Sequence, residues 1–399
     1  MQRRWYTHTL GIVCALALTA CDHILPPAPD VDQTLDGPVE GLSTDEVRRH
    51  LAGDRAFNDQ VFTVATGLGP VFVATSCGGC HAADGKGHPF TAVIRFGQSD
   101  TSGNPFASAG GPQLQNRAIP GFTPESIPAG APSSTLIPPS VTGLGFLEAL
   151  SDAQILAHAD PSDADGDGVS GVPNYVRPRP YFIQRVQHIP MNGRYIGRFG
   201  IKAATIDLLQ QTATAYNQDI GITSTFEPLD PYTGLVNDPE VTDRSIADVV
   251  FYLRTLKAPV QRTPTNPLVM HGKQVFNDVG CATCHVPSYT TPTTSVAALS
   301  EQRIFPYTDL LLHDMGPALD DGYTEGGAQT FEWKTPALWG LGLAARSQGG
   351  RYFLLHDGRA HSIYDAIMLH GGEAARSRDV YNALPAHDQQ ALLRFLESL

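Results

Sequence analysis

Cys77, Cys80 and His81 form one Cys-x-x-Cys-His pentapeptide, and Cys281, Cys284 and His285 form a second. In each, two thiols are spaced to add across the vinyl groups of a haem, and the imidazole that follows is held where it can ligate the iron. A shared zinc ion or a redox dithiol also uses Cys-x-x-Cys. Zinc would need both pairs on one metal, and a histidine directly after the second cysteine suits haem attachment better than a tetrahedral knuckle. A thioredoxin-like site opens a helix after a strand, and neither copy follows a β-rich run. Two covalently bound haem c groups are therefore expected, attached through Cys77, Cys80, Cys281 and Cys284, with His81 and His285 on iron.

The flanks of the two motifs repeat. Gly53, Phe57 and Asn58 precede the first as Gly272, Phe276 and Asn277 precede the second, each stretch ending a helix that feeds a haem loop. Ser43 and Glu46 make a capping-box start for the first helix, and Asn266 before Pro267 starts the other. Each half also closes with an amphipathic helix. Ile246, Val249, Val250, Leu253 and Leu256 share one face of residues 243–257, and Ala391, Leu392, Phe395, Leu396 and Leu399 share one at the C-terminus. A helix before the haem loop crossing a helix at the end is the cytochrome c plan. The expected fold is mainly α with long ordered loops, as 39 Gly and 31 Pro suggest, in two cytochrome c-like haem domains. Pro259 and Pro264 bracket a break, so the domains are expected at residues 43–262 and 263–399. The first carries large insertions between His81 and its closing helix, and loops of that length tend to carry function.

Of six cysteines, Cys14 and Cys21 remain. They lie in a segment with Arg3 and Arg4 followed by an apolar run over residues 10–20, the pattern of a signal peptide and too short for a membrane span. Its end, Leu18-Thr19-Ala20-Cys21, matches a bacterial lipobox, so residues 1–21 read as a lipoprotein signal ending at a lipidated Cys21. Ordinary cleavage near Ala20 is the alternative. Acyl chains contribute about 0.8 kcal/mol per buried methylene, so such a terminus anchors a domain without a spanning helix. Residues 22–42, with Pro26, Pro27 and Pro29, then form a flexible tether. The expected location is the periplasm, anchored to a bacterial membrane. A formal charge of −13 and a pI near 5.4 leave no basic stripe for nucleic acid. An acidic surface suits a small redox carrier protein as electron donor.

Asp163, Asp165 and Asp167 alternate ahead of Gly168, as a Ca²⁺ loop gathers carboxylates. Asn174 stands where an EF-hand has its last glutamate, so this is a different calcium turn. Three carboxylates this close repel without a cation.

With motifs and closing helices placed, the chain resembles the bacterial di-haem oxidoreductase family, a peroxidase group related to di-haem cytochrome c peroxidases. The resemblance covers nearly all of the mature chain. It rests on Leu114-Gln115-Asn116-Arg117, Gly143-Leu144-Gly145-Phe146-Leu147-Glu148, Asp163-Ala164-Asp165-Gly166-Asp167-Gly168, Gly197-Arg198-Phe199-Gly200, Leu312-His313-Asp314-Met315-Gly316, His356-Asp357-Gly358-Arg359 and Leu369-His370-Gly371-Gly372-Glu373. It departs at Ile201, where the family has Trp, and in a shortened loop over residues 122–139. The resemblance implies an electron-storing second haem, with His370 joining His285 on iron, and a first haem that reduces peroxide. His313, Met315 and His356 are rivals to His370. In the same implication Glu148 takes the place of the distal catalytic carboxylate, and His88 is an alternative that closes the first iron at rest; Gln113 and Arg117 are expected to help polarise bound oxygen, though their spacing departs from that of the related peroxidases. A di-haem electron carrier without peroxidase turnover is the competing expectation.

Overall fold

The computed structural model describes residues 30–97, 99, 100 and 103–399; Cys14, Cys21 and the signal segment lie outside them. Helix α1, Thr44–Asp54, starts at the expected box: Ser43 Oγ accepts from Glu46 N while Glu46 returns a carboxylate to Ser43 N. It runs on into a π-helical turn, Arg55–Asp59, that delivers Phe57 to the first motif. Helix α2, Leu144–Ala149, and helix α3, Leu208–Ile220, come from the long insertion. Helix α4, Asp243–Thr255, closes the half, capped by Thr242. The second half repeats the pair. Helix α5, Pro267–Asp278, is capped by the Asn266 side chain with Pro267 in its first turn, and helix α7, Ala386–Ser398, ends the chain. A short helix α6, Ile363–Met368, lies between them.

The two crossings are built alike. A Cβ on Gly53 would lie 2.0 Å from Asp248 O and 2.6 Å from Tyr252 Cβ, so α1 and α4 touch backbone to backbone. A Cβ on Gly272 would lie 1.9 Å from Ala391 O and 2.7 Å from Phe395 Cβ, so α5 and α7 do the same. Only glycine permits that approach. Each crossing buries an aromatic against the phenylalanine of the repeat: Tyr252 packs on Phe57 at 5.5 Å, and Phe395 on Phe276 at 5.4 Å.

The described strands pair only in two-stranded ribbons. Strand β1, Val93–Phe96, runs antiparallel to β2, Ser133–Leu136. Strand β3, Leu312–Asp314, pairs with β4, Glu332–Lys334. The cores do not divide at residue 262. Val286, Tyr289, Val296, Leu299, Ile304, Leu310 and Leu311 join the core of α1 to α4, while Phe276, Tyr307 and Phe395 sit in a separate core around α5 and α7. The break itself is docked, since Arg262 N donates to Ser398 O at 2.7 Å.

Candidate functional site

His81 is fixed from two sides. Its Nδ1 bonds Pro139 O at 2.9 Å, and the Phe57 ring lies 5.9 Å from its own. Burial pushes the imidazole down to about 4 despite that bond, so it stays neutral with Nδ1 committed and Nε2 left for a metal. His81, Cys77 and Cys80 line a cavity of about 810 Å³, toward the upper end of cofactor pockets. The wall is polar as well as apolar. Arg95, Gln113, Asp219 and Glu325 face it, as do Arg177, Arg179 and Arg194, while Phe57, Leu136, Ile137 and Ile201 supply apolar surface. Among the described lining residues His81 is the only imidazole, and there is no thioether, phenol or amine.

Asp219 closes α3 and is deeply placed. Burial lifts its carboxyl to about 6, against a hydrogen bond from Gln113 Nε2 to Oδ1 and the charge of Arg95. Arg95 itself pairs with Glu325 at 2.8 Å.

The second motif repeats the first. His285 Nδ1 bonds Tyr307 O at 2.9 Å, the Phe276 ring lies 6.4 Å away, and burial pushes this imidazole to about 4. Here a second imidazole is at hand. His370 follows α6, its Nδ1 bonds Ala366 O at 2.7 Å, and it lies near enough for its charge to act on His285. Burial lowers His370 as well, leaving another neutral ring with Nε2 uncommitted. The rivals are engaged elsewhere. His313 is clamped between Asp309, 2.8 Å from Nε2, and Glu373, 2.7 Å from Nδ1. Burial opposes its charge, but those hydrogen bonds and one to Cys284 outweigh it and hold its pKa near 12. His356 stacks on Trp333 with centroids 3.7 Å apart, and Met315 packs in the apolar group of Leu136, Leu319 and Trp333.

These residues fit haem. All four thiols are free, and burial pushes Cys77 and Cys281 up to about 12 and Cys80 to about 11. A redox dithiol needs the opposite shift. No cluster of metal-ligating atoms among the described residues joins the two pairs, which removes the shared zinc. The hydroxyls of Tyr216, within electrostatic reach of Cys77, and Tyr381, within reach of Cys281, are buried without partners. Each is a polar atom expecting a neighbour. The arginines in the first cavity supply what porphyrin propionates require.

Other expected residues lie differently. Glu148 does not line the cavity. It accepts from Arg254 Nε at 2.6 Å and from the Leu208 backbone at 2.9 Å, with Arg185 3.4 Å away. Burial opposes ionisation, yet Arg254 and Arg185 hold the carboxyl down at about 2. Its charge anchors α3 and α4, with Arg254 as its partner, and a carboxyl held that low is a poor proton shuttle. Gln113 reaches the cavity with its amide given to Asp219. His88 accepts from Phe90 N and packs between Phe90 and Phe353, away from the cavity. In the acidic turn the converging carboxylates are Asp160, Asp163 and Asp165, while Asp167 accepts from Val169 N. Asn174 is buried far from them in function, bonding Lys202 O and Glu325 O. Asp160 and Asp219 carried no motif, and only the folded chain brings them to these sites.

Two proximal imidazoles of the same build, one facing a porphyrin-sized cavity, define a cytochrome-like haem oxidoreductase. The chain belongs to the family described as "Di-haem oxidoreductase, putative peroxidase", matching it over residues 29–99 and 134–399. Gln113 falls in the unmatched stretch. Among solved structures it is similar to the hydrazine synthase of Kuenenia stuttgartiensis pressurised with xenon, at 14% identity and TM-score 0.39 over 100% of both chains. It is also similar to a MauG-like protein associated with microbial copper homeostasis, at 14% identity and TM-score 0.40 over 94% of both chains. No curated protein matches it.

Proposed function

We propose that this chain is an exported di-haem c-type oxidoreductase that reduces peroxide at its first motif with electrons held at its second. One observation supports the reading: among the described residues lining the cavity at His81 there is no second imidazole and no thioether, whereas His285 has His370 beside it. Bound haem supplies one-electron chemistry, one electron from each group with two protons taking hydrogen peroxide to two waters.

The protein's own part is proton handling, orientation and exclusion of water. Asp219, with Oδ1 fixed by Gln113, takes a proton from peroxide at Oδ2 and returns it to the departing oxygen. Its pKa near 6 suits that exchange better than Glu148, which is held near 2. Arg95, braced by Glu325, offers positive charge where oxygen becomes anionic. Arg177 and Arg194, which line the same cavity, would hold the propionates of a bound haem. At the other motif Tyr307 O and Ala366 O aim the rings of His285 and His370, the two residues that would hold the iron of the second haem.

Export rests on the lipobox at Cys21, with the acidic body receiving a small basic redox carrier. The acidic turn binds calcium through Asp160, Asp163 and Asp165 and braces the second motif, because Ser170 Oγ donates to Glu373, the partner of His313. Spin-state spectroscopy of the holoprotein tests the central claim. One high-spin centre that shifts with cyanide or peroxide is expected, and two low-spin centres in every oxidation state would leave the electron carrier as the better description.

A further inference from the structure

Three side chains outside both haem sites meet where α5 crosses α7. His271 Nε2 lies 2.7 Å from Asp388 Oδ1, and His387 Nδ1 lies 3.3 Å from the same oxygen. The two imidazole rings are 5.3 Å apart, and one ligand atom from each of the three residues falls within 4.8 Å of the others. The helix crossing sets this distance. Gly272, next to His271, touches Ala391 O, and Asp388 stands one turn before Ala391.

The crossing does not need these residues. In the first half Gly53 touches Asp248 as Gly272 touches Ala391, and the positions matching His271, His387 and Asp388 are Ala52, Arg244 and Ser245. The same backbone packing thus forms without a cluster of donors. What the second half adds is two imidazoles and a carboxylate around one point, with side-chain exposures of 37% for His271, 29% for Asp388 and 70% for His387. The site is rigid on the helix side and open on the other.

We propose that His271, His387 and Asp388 bind one divalent late first-row transition ion of the zinc or copper class, with water completing its shell. Imidazole nitrogen with a single carboxylate suits such ions, whereas Ca²⁺ and Mg²⁺ require shells of oxygen. On binding, the ion takes the two ring nitrogens and the carboxylate oxygen that now face one another, and each imidazole binds as the neutral ring with its N–H on the other nitrogen. It ties the N-terminal turn of α7 to α5 and so staples the helices that carry the second haem motif.

The test uses untagged holoprotein freed of loose metal with a chelator, then titrated with zinc chloride and separately with copper(II) chloride. One ion per chain is expected, and the copper signal should show coupling to two nitrogens. His271→Ala, His387→Ala and Asp388→Asn should each weaken binding about tenfold or more, at least the loss that outer-shell changes cause at metal sites. His387 is the most exposed of the three, so His387→Ala separates ligand loss from unfolding, with unchanged haem absorbance as the check. Absence of a stoichiometric ion, copper coupled to fewer than two nitrogens, or parent affinity in His387→Ala would each overturn the proposal.

Discussion

Glu148 and Asp219 show how two buried carboxylates acquire opposite characters. Glu148 meets Arg254 and Arg185 and ionises; Asp219 meets an amide and a more distant guanidinium and holds its proton to about 6. Glu148→Gln leaves two cations without their partner, and breaking a buried pair in this way costs about 3–5 kcal/mol. The sign follows from linkage. The folded pKa of Glu148 is lowered, so its contribution of about 3 kcal/mol is present above pH 4.5 and lost as pH falls toward 2. Urea unfolding of parent and variant at neutral pH and near pH 3 should show the gap narrowing in acid. Asp219→Asn should keep both haems yet slow peroxide consumption about 10²–10⁴-fold. Parent activity should rise with pH through about 6, and that limb should vanish in the variant. The sequence alone could not separate these two residues. Glu148 stands on an apolar helix as a catalytic carboxylate would, and Arg254, which silences it, is 106 positions away. Asp219 ends an unremarked helix and reaches Cys77 and Cys80 only because α3 returns to the motif.

At the scale of elements, the parts readable in advance were those with local causes. The caps at Ser43 and Asn266 and the apolar faces of α4 and α7 are fixed by neighbouring residues, and these elements begin and bury as expected. The ribbons were not readable, because strands of two to four residues are too short to carry an alternating pattern. The crossing glycines rest on the repeat itself. A methyl at Gly272 would enter the space of Ala391 O, which forces α5 from α7 and tilts the helix that presents Cys281. Gly272→Ala should therefore destabilise the second half by about 1–3 kcal/mol or more and lower haem at that motif first. Gly53→Ala should do the same at the first motif. Haem quantified on tryptic peptides around each Cys pair distinguishes the two variants. His370→Ala should leave attachment intact while converting the second centre from low to high spin, visible in the optical and paramagnetic spectra.

Across the whole molecule the two motifs are embedded in one interlocked body. Ile137 N, from the wall of the first cavity, donates to His356 O at 2.7 Å, and Val172 pairs with Leu312 in an antiparallel bridge. Asn174 binds Glu325 O across 151 positions. Trp333 packs with Leu136 and Ile201, both of which line the first cavity, while its β-ladder partner is His313 beside Cys284. A chain cut at the proline-rich break would lose more than a linker. Residues 263–399 expressed alone would expose Val286, Tyr289, Val296, Leu299, Ile304, Leu310 and Leu311, all buried in the intact chain against α1 to α4. Burial of a large apolar side chain is worth about 1.5–3 kcal/mol, so even part of this loss exceeds the stability of an ordinary domain. The fragment should accumulate as insoluble or unfolded protein with little covalent haem, although it holds Cys281, Cys284, His285 and His370. Haem staining of the soluble fraction, beside the intact chain exported in the same way, measures this. A soluble fragment with a full complement of low-spin haem would instead mean that the core around α5 and α7 suffices by itself, and that residues 286–311 pack on the first half without depending on it.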